Sequence, residues 1–256
     1  VYIFQQGEAS LVPYFGMGTL YKLLYLALII NVPDAAVAAE LCACVHGLKY
    51  IALSNESSAN ESYVDGTQIN HQYSKSTEFE RDFREYCEKW FGGYSRYPEY
   101  FSLLRPWSEW QIAREFVKYP QYFGIFQSCN LGSKTNSWCC NCAKCLYVYI
   151  LLAAFLDDDV LTRIFGCNML EKQELSDMLD GLALDGEDKP FECVGTKDEV
   201  RLSLEMAWER RKSDPPALLK RWRSLFPEYA PVSLENYFDR DNFVPEEFKY
   251  LLGEMQ

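Results

Sequence analysis

An α/β fold with a parallel sheet, followed by a helical C-terminal region, is the class this sequence predicts. Three observations carry it. Short apolar runs bounded by turn residues, "LKYIAL" (48–53) and "YFSLL" (100–104), have the length and character of strands buried on both faces. Helical patterns lie between them, and alternation of this kind builds parallel sheets. Beyond Phe165 the pattern turns helical and charged. The boundary is drawn there, giving an α/β core over 1–165 and a helical region over 166–256.

Taken in order, "LYKLLYLALII" (20–30) and "DAAVAAELCACVHGL" (34–48) read as two helices broken at Pro33. "LKYIAL" follows as a strand. From Ser74 a helix is expected, with Phe79, Phe83, Tyr86 and Trp90 at i, i+4, i+7 and i+11 as one apolar stripe. After "YFSLL", Ser108-x-x-Gln111 is a capping box that opens another helix. "YFGIFQS" (122–128) reads as a third strand ending at Cys129, and "CLYVYILLAAFL" (145–156) as a buried helix. Thr196-x-x-Glu199 caps a helix through Arg210, and "PALLKRWRSLF" (216–226) opens another on its proline.

Composition narrows the function. The 256 residues are 48% hydrophobic and 16% aromatic, enough for a sizeable core and against disorder. A net charge of −12 disfavours a nucleic-acid partner, which needs a concentrated basic face. The longest apolar runs are about half of the roughly 20 residues that span a bilayer. With no secretion signal at the start, a soluble, cytoplasmic protein with no membrane partner is expected. Ten cysteines in a reducing compartment point to metal or redox chemistry rather than disulfides.

Five of them cluster. In "SCNLGSKTNSWCCNCAKC" (128–145), Cys139-x2-Cys142-x2-Cys145 is tight and Cys129 lies one short loop away. Four thiolates close a tetrahedral zinc site; Cys139 and Cys140 compete for one of its positions. The same spacing suits an iron–sulfur cluster. Zinc is the preferred reading because no second cluster motif or trailing Cys-Pro appears. Cys42, Cys44, Cys87, Cys167 and Cys193 stand singly and read as small buried residues.

The segment after "LKYIAL" is dense in amides, hydroxyls and carboxylates, and ligands of open parallel sheets bind beyond the carboxyl ends of strands. Asn55, Asn60 and Asn70 offer paired donors and acceptors, whereas Glu56 and Glu61 only accept. His71, one of two histidines, precedes a predicted helix start that favours anions and a neutral imidazole. Lys75 can neutralise a phosphate or carboxylate. A polar surface loop is the competing reading.

"ALSNESSANE" (52–61), "NHQYSKSTEFE" (70–80), "WCCNCAKCLYVYILLA" (138–153) and "KPFECVGT" (189–196) together resemble the bacterial UDP-N-acetylmuramoyl-L-alanyl-L-glutamate epimerase family. The resemblance implies a nucleotide-α-hydrolase-like core, as in ATP pyrophosphatases. It also implies inversion of the terminal L-glutamate of a UDP-muramoyl dipeptide, a small-molecule substrate, using ATP and Mg²⁺ for peptidoglycan synthesis. On this reading His71 transfers the proton and Lys75 meets phosphate or carboxylate. Asn55, Glu56, Ser58, Asn60, Asn70, Gln72 and Ser76 orient nucleotide or substrate, with Glu56 helping to hold Mg²⁺. The glycine-rich S-G-G-x-D-S type loop of ATP pyrophosphatases is not in the sequence; "YFGMGTLY" (14–21) is a poor substitute, and the Val1 start leads us to expect a missing N-terminal portion. Alternatives are another adenylating enzyme, of the deazaguanine nitrile synthase kind, and a non-catalytic zinc-stabilised domain.

Overall fold

A computed structural model describes residues 34–62, 70, 72–92, 97–132, 135, 137–187 and 189–253. The first predicted helix, 20–30, lies outside them, as does His71. The chain divides into two compact units. The first takes its described residues from 34–60, 72–106 and 239–253, the second from 61–71 and 107–238.

The first unit is a β-α-β motif with a preceding helix. Helix α1 (Asp34–His46) is rich in alanine, the strongest helix former, and ends at Gly47, whose φ of +62° suits a residue without a Cβ. Strand β1 (Tyr50–Leu53) follows. Helix α2 (Thr77–Phe91) then crosses over to strand β2 (Glu99–Ser102). The strands are parallel, with Tyr50 opposite Glu99 and Leu53 opposite Ser102. Ala36, Ala39 and Ala43 of α1 and Phe79, Phe83 and Cys87 of α2 pack with Ile51 and Tyr100 into one core. The apolar stripe expected on α2 is only half covered: Phe79 and Phe83 are buried, but Tyr86 and Trp90 are 54% and 59% exposed. The buried residues are instead Ser76, Thr77, Phe79, Glu80, Phe83 and Cys87, so polar residues make up half of them.

The second unit is helical. Helices α3 (Glu109–Phe116) and α7 (Lys197–Arg211) start at the two predicted capping boxes, and both reciprocal pairs of hydrogen bonds are present. Helix α4 (Ala143–Ala153) is apolar around its circumference and correspondingly buried, with Leu146, Tyr149 and Ile150 at 0% exposure. Around it lie α5 (Asp158–Phe165), α6 (Ser176–Ala183), α7 and α8 (Ala217–Leu225). The buried Arg211 closes the end of α4, donating to the carbonyls of Ala153 and Leu156 at 2.9 Å each and to Asp158 at 2.7 Å. A last short helix, α9 (Lys249–Gly253), returns to the first unit.

The third predicted strand is absent from residues 122–128, which form turns and irregular chain. Pro120 starts a single 3₁₀ turn, and Phe116 gathers Phe123 and Phe126 around it at ring separations of 5.4 and 4.7 Å. That cluster folds the segment back on α3, leaving Ile125 at 74% exposure. An apolar run rich in aromatics suits strands and local clusters alike, and here the cluster wins. Among the described residues the fold is therefore a mixed, helix-rich α/β arrangement with a small parallel sheet. No helix among them is long and apolar enough to cross a membrane.

Candidate functional site

In the second unit, the sulfurs of Cys129, Cys139, Cys142 and Cys145 all lie within 4.8 Å of one another. Local chemistry brings them together. Cys142 is the N-cap of α4, its Sγ accepting the Cys145 N–H at 3.4 Å. Cys129 Sγ accepts the N–H groups of Gly132 at 3.2 Å and Cys139 at 3.5 Å, so the loop wraps round a sulfur. Gly132 is required there, since a Cβ would fall inside the carbonyl oxygen of Ser137 and 2.7 Å from its carbon.

The rivalry between Cys139 and Cys140 is settled by backbone conformation. Cys140 has a φ of 51°, the left-handed region, which turns its side chain away from its neighbours. Its thiol donates to the Phe165 carbonyl at 3.1 Å, whereas Cys139 Sγ lies 3.6 Å from Cys145 Sγ. Cys140, one of the five residues expected as metal ligands, therefore falls outside the group.

The crowding shows in acidity. The Cys145 thiol donates to Cys142 and, with the Cys145 backbone N–H, brings Cys142 down to about 6, while Cys145 itself is driven strongly up. Burial raises Cys139 and pushes Cys140 up to about 12, with the nearby Cys167 thiol adding to the latter. S–H and N–H donors thus converge on the Cys142 sulfur and favour its thiolate. An ion bound here replaces the remaining protons, so affinity rises with pH.

A single ion suits this arrangement. Four thiolates on one tetrahedral ion at about 2.3 Å stand about 3.8 Å apart, which fits the 3.6 Å between Cys139 and Cys145 and the 4.8 Å that bounds all four. A four-iron cluster takes each thiolate on a different iron and spreads them further. The soft, closed Cys₄ donor set is that of a structural metal site such as zinc.

In the first unit, the carboxyl ends of β1 and β2 lead into a buried polar network. Glu80 and Arg105 are 1% and 0% exposed. Glu80 Oε1 accepts the Ser102 N–H at 3.0 Å, just where β2 ends. The Arg105 guanidinium reaches Glu80 Oε2 at 3.5 Å, the Glu56 carbonyl at 2.5 Å and the Lys75 carbonyl. It ties the chain after β1 to the chain before α2. Asn55 donates to Ser102 Oγ at 3.2 Å. The Asn60 amide pairs with Thr77, accepting its N–H at 2.7 Å and donating to its hydroxyl at 2.9 Å. Ser76 is the N-cap of α2, accepting the Phe79 N–H at 3.1 Å and donating to the Tyr73 carbonyl at 2.7 Å.

Asn55, Glu56, Ser58, Asn60, Gln72, Lys75 and Ser76 therefore share one end of the sheet. Ser58, Gln72 and Ser76 are buried, and Lys75 Nζ sits 3.5 Å from Gln72 Oε1. Asn70 groups with the second unit. The N–H groups of Thr77 and Phe79 at the start of α2 are already engaged, and Glu78 and Glu80 add negative charge beside them.

Sequence reasoning missed Glu80 and Arg105. A signal existed for the first, which lies four residues after the cap Ser76 and three before Phe83, on the covered face. Arg105 had a weaker one, a lone cation between an apolar strand and Pro106.

Comparison with known proteins adds to this geometry. A family model described as the MurL N-terminal domain matches residues 32–103, and one described as the MurL C-terminal domain matches 125–236. Three curated relatives carry the name UDP-N-acetyl-alpha-D-muramoyl-L-alanyl-L-glutamate epimerase. The one from Xanthomonas oryzae pv. oryzae is 36% identical over 217 residues, 80% of this chain and 48% of the relative. That from Salinispora tropica is 38% identical over 173 residues, 65% and 37%. That from a Micromonospora species is 32% identical over 210 residues, 78% and 46%. The chain thus spans about half the length, or less, of the curated relatives it matches. No solved structure matches it.

Proposed function

The chain belongs to the MurL family, and from that premise we propose that it forms part of an ATP-dependent epimerase. The reaction inverts the terminal L-glutamate of UDP-N-acetylmuramoyl-L-alanyl-L-glutamate to D-glutamate, in the cytoplasm, for peptidoglycan precursor synthesis. The observation that carries the reading is the match to both MurL domain models in chain order. The parallel β-α-β unit, with its polar network at the strand ends, supports a nucleotide-α-hydrolase-like core.

Chemistry explains why ATP is needed. A Cα–H beside a carboxylate is very weakly acidic, because its removal sets negative charge next to negative charge. Adenylation of that carboxylate, expelling pyrophosphate whose charge Mg²⁺ would offset, would remove the charge and make an enolate-like state reachable. A base then takes the proton, its return from the other face inverts the centre, and water cleaves the acyl–phosphate bond to restore the carboxylate and release AMP. His71 is proposed for proton transfer and Lys75 for phosphate or carboxylate. Asn55, Glu56, Ser58, Asn60, Asn70, Gln72 and Ser76 orient nucleotide or substrate. The Arg105 contact to the Glu56 carbonyl fixes the backbone from which that carboxylate projects, consistent with a part in holding Mg²⁺. The cysteine centre is proposed to hold zinc in a structural role.

The test uses the intact protein and the L-glutamyl substrate. The reading expects the D-glutamyl product, with one AMP and one pyrophosphate formed for each adenylation. His71→Ala should lose about 10²–10⁴-fold in rate, the usual contribution of a positioned base. Lys75→Ala should raise KM more than it lowers kcat. Product formed without AMP release overturns the adenylation; an unimpaired His71→Ala removes that residue from proton transfer.

A further inference from the structure

Residues 189–196, Lys-Pro-Phe-Glu-Cys-Val-Gly-Thr, have no role in the reading above, yet they connect three parts of the second unit. At the start, the Lys189 ammonium, its side chain 9% exposed, pairs with Glu61. In the middle, Glu192 Oε2 accepts the Lys144 backbone N–H at 2.8 Å, and the Cys193 carbonyl accepts the Lys144 ammonium. At the end, Gly195 lies against Tyr147, Glu199 and Glu109, and Thr196 caps α7.

Lys144 stands between Cys142 and Cys145, in the first turn of α4. Its N–H, held by Glu192, thus lies in the turn that the two cysteines bracket. Charge has to be balanced for this contact to hold. Four thiolates on a divalent ion carry a net charge of about −2, which would repel the Glu192 carboxylate nearby. The Lys144 ammonium and the partial positive charge of the helix start offset that repulsion. On the other side of the centre, Lys172 donates to the Cys140 carbonyl at 3.0 Å, a second cation close to the thiolates.

We infer that the cysteine centre positions residues 189–196 through Lys144 and Glu192, so that metal occupancy sets the placement of the Lys189–Glu61 pair. Lys144 and Glu192 are positioning residues, and the ion's effect extends some fifty residues along the chain from its own loop. The inference concerns local order and holds whether or not the epimerase reading does, because failure of that reading appears in turnover and not in backbone protection.

Hydrogen exchange on the intact zinc-loaded protein tests it, with the metal counted in each sample. Removing the ion with a chelator should speed exchange about tenfold or more in 189–195 as well as in 129–142. Glu192→Ala should do so in 189–195 with the ion still bound, and Glu192→Gln, which keeps the acceptor, should restore protection. Lys144→Met should resemble Glu192→Ala. The amides of α8 serve as the reference: if chelation opens them too, the whole unit has unfolded, and Glu192→Ala with the ion still bound decides the matter. The inference is overturned if chelation opens 129–142 and leaves 189–195 as protected as before. It is also overturned if Glu192→Ala leaves that segment unchanged with the metal in place.

Discussion

Replacing Cys139 and Cys140 one at a time separates metal ligand from bystander. The ligand assignment rests on two numbers, the 3.6 Å between the sulfurs of Cys139 and Cys145 and the φ of 51° at Cys140. Cys139→Ala removes one of four thiolates. Structural zinc contributes about 10–16 kcal/mol in small Cys/His sites, so one ligand in four accounts for roughly 3–4 kcal/mol, or about 10²–10³-fold in affinity. Cys140→Gly acts on the backbone instead. Relief of the left-handed conformation gains about 1 kcal/mol, and loss of the buried side chain costs about the same. The net change should lie within about 1 kcal/mol. The assay is metal content after gel filtration against a competing chromophoric chelator, together with thermal melting. Cys139→Ala should emerge with little metal and a lowered Tm, and Cys140→Gly with one ion per chain. The opposite pattern, with metal retained by Cys139→Ala and lost by Cys140→Gly, refutes the assignment.

Three further outcomes follow from the packing. Gly195→Ala places a methyl inside Tyr147 Oη and Glu199 Oε2 and 2.9 Å from Glu109 Oε2, disturbing the capping box of α7. It should cost about 1–3 kcal/mol, seen as a fall in Tm of roughly 2–12 °C, and an unchanged Tm would contradict it. Arg105→Met leaves Glu80 buried without its cation and should cost about 3–5 kcal/mol in chemical denaturation, whereas Glu80→Met with Arg105→Met should recover much of that loss. Additive costs in the double variant would count against the buried pair. Burial pushes the Glu40 carboxyl up to about 7 from 4.5, with Cys44 4.0 Å away on α1 and Cys87 facing it from α2. Its folded pKa lies above the unfolded one, so the folded state binds the extra proton and stability falls as pH rises from about 4.5 to about 7. Glu40→Gln should flatten that slope and stabilise the first unit by about 1–2 kcal/mol at pH 8. A slope that persists in the variant assigns it to another group.

Much of the local structure was written in short-range chemistry. The Ser108–Gln111 and Thr196–Glu199 boxes and the α4 helix, apolar from Cys145 onward, are decided by residues within one turn or one helix, so the sequence exposes them directly. The segment 122–128 departs from its strand-like pattern because its fate depends on Phe116, a partner on α3 that periodicity cannot see. The choice between Cys139 and Cys140 turns on a single φ that no spacing rule contains. Spacing did bring Cys129, Cys142 and Cys145 to one place, since the helix start and a tight glycine loop leave little freedom. The polar stretch after β1 was legible as unusual, but its organisers were not: Glu80 looked like a helix-surface charge, and Arg105 gains meaning only beside Glu56, Lys75 and Glu80.

The most direct test of the proposed chemistry is incorporation of solvent deuterium at the glutamate Cα. The intact protein is incubated in deuterated water with the L-glutamyl substrate and Mg²⁺, with and without ATP, and the recovered dipeptide is analysed by mass. Removal of the Cα proton only after adenylation predicts deuterium in the D-glutamyl product when ATP is present and none in either epimer when it is withheld. Exchange at an equal rate without ATP would contradict the account, because the carboxylate would then need no activation for its neighbouring proton to leave.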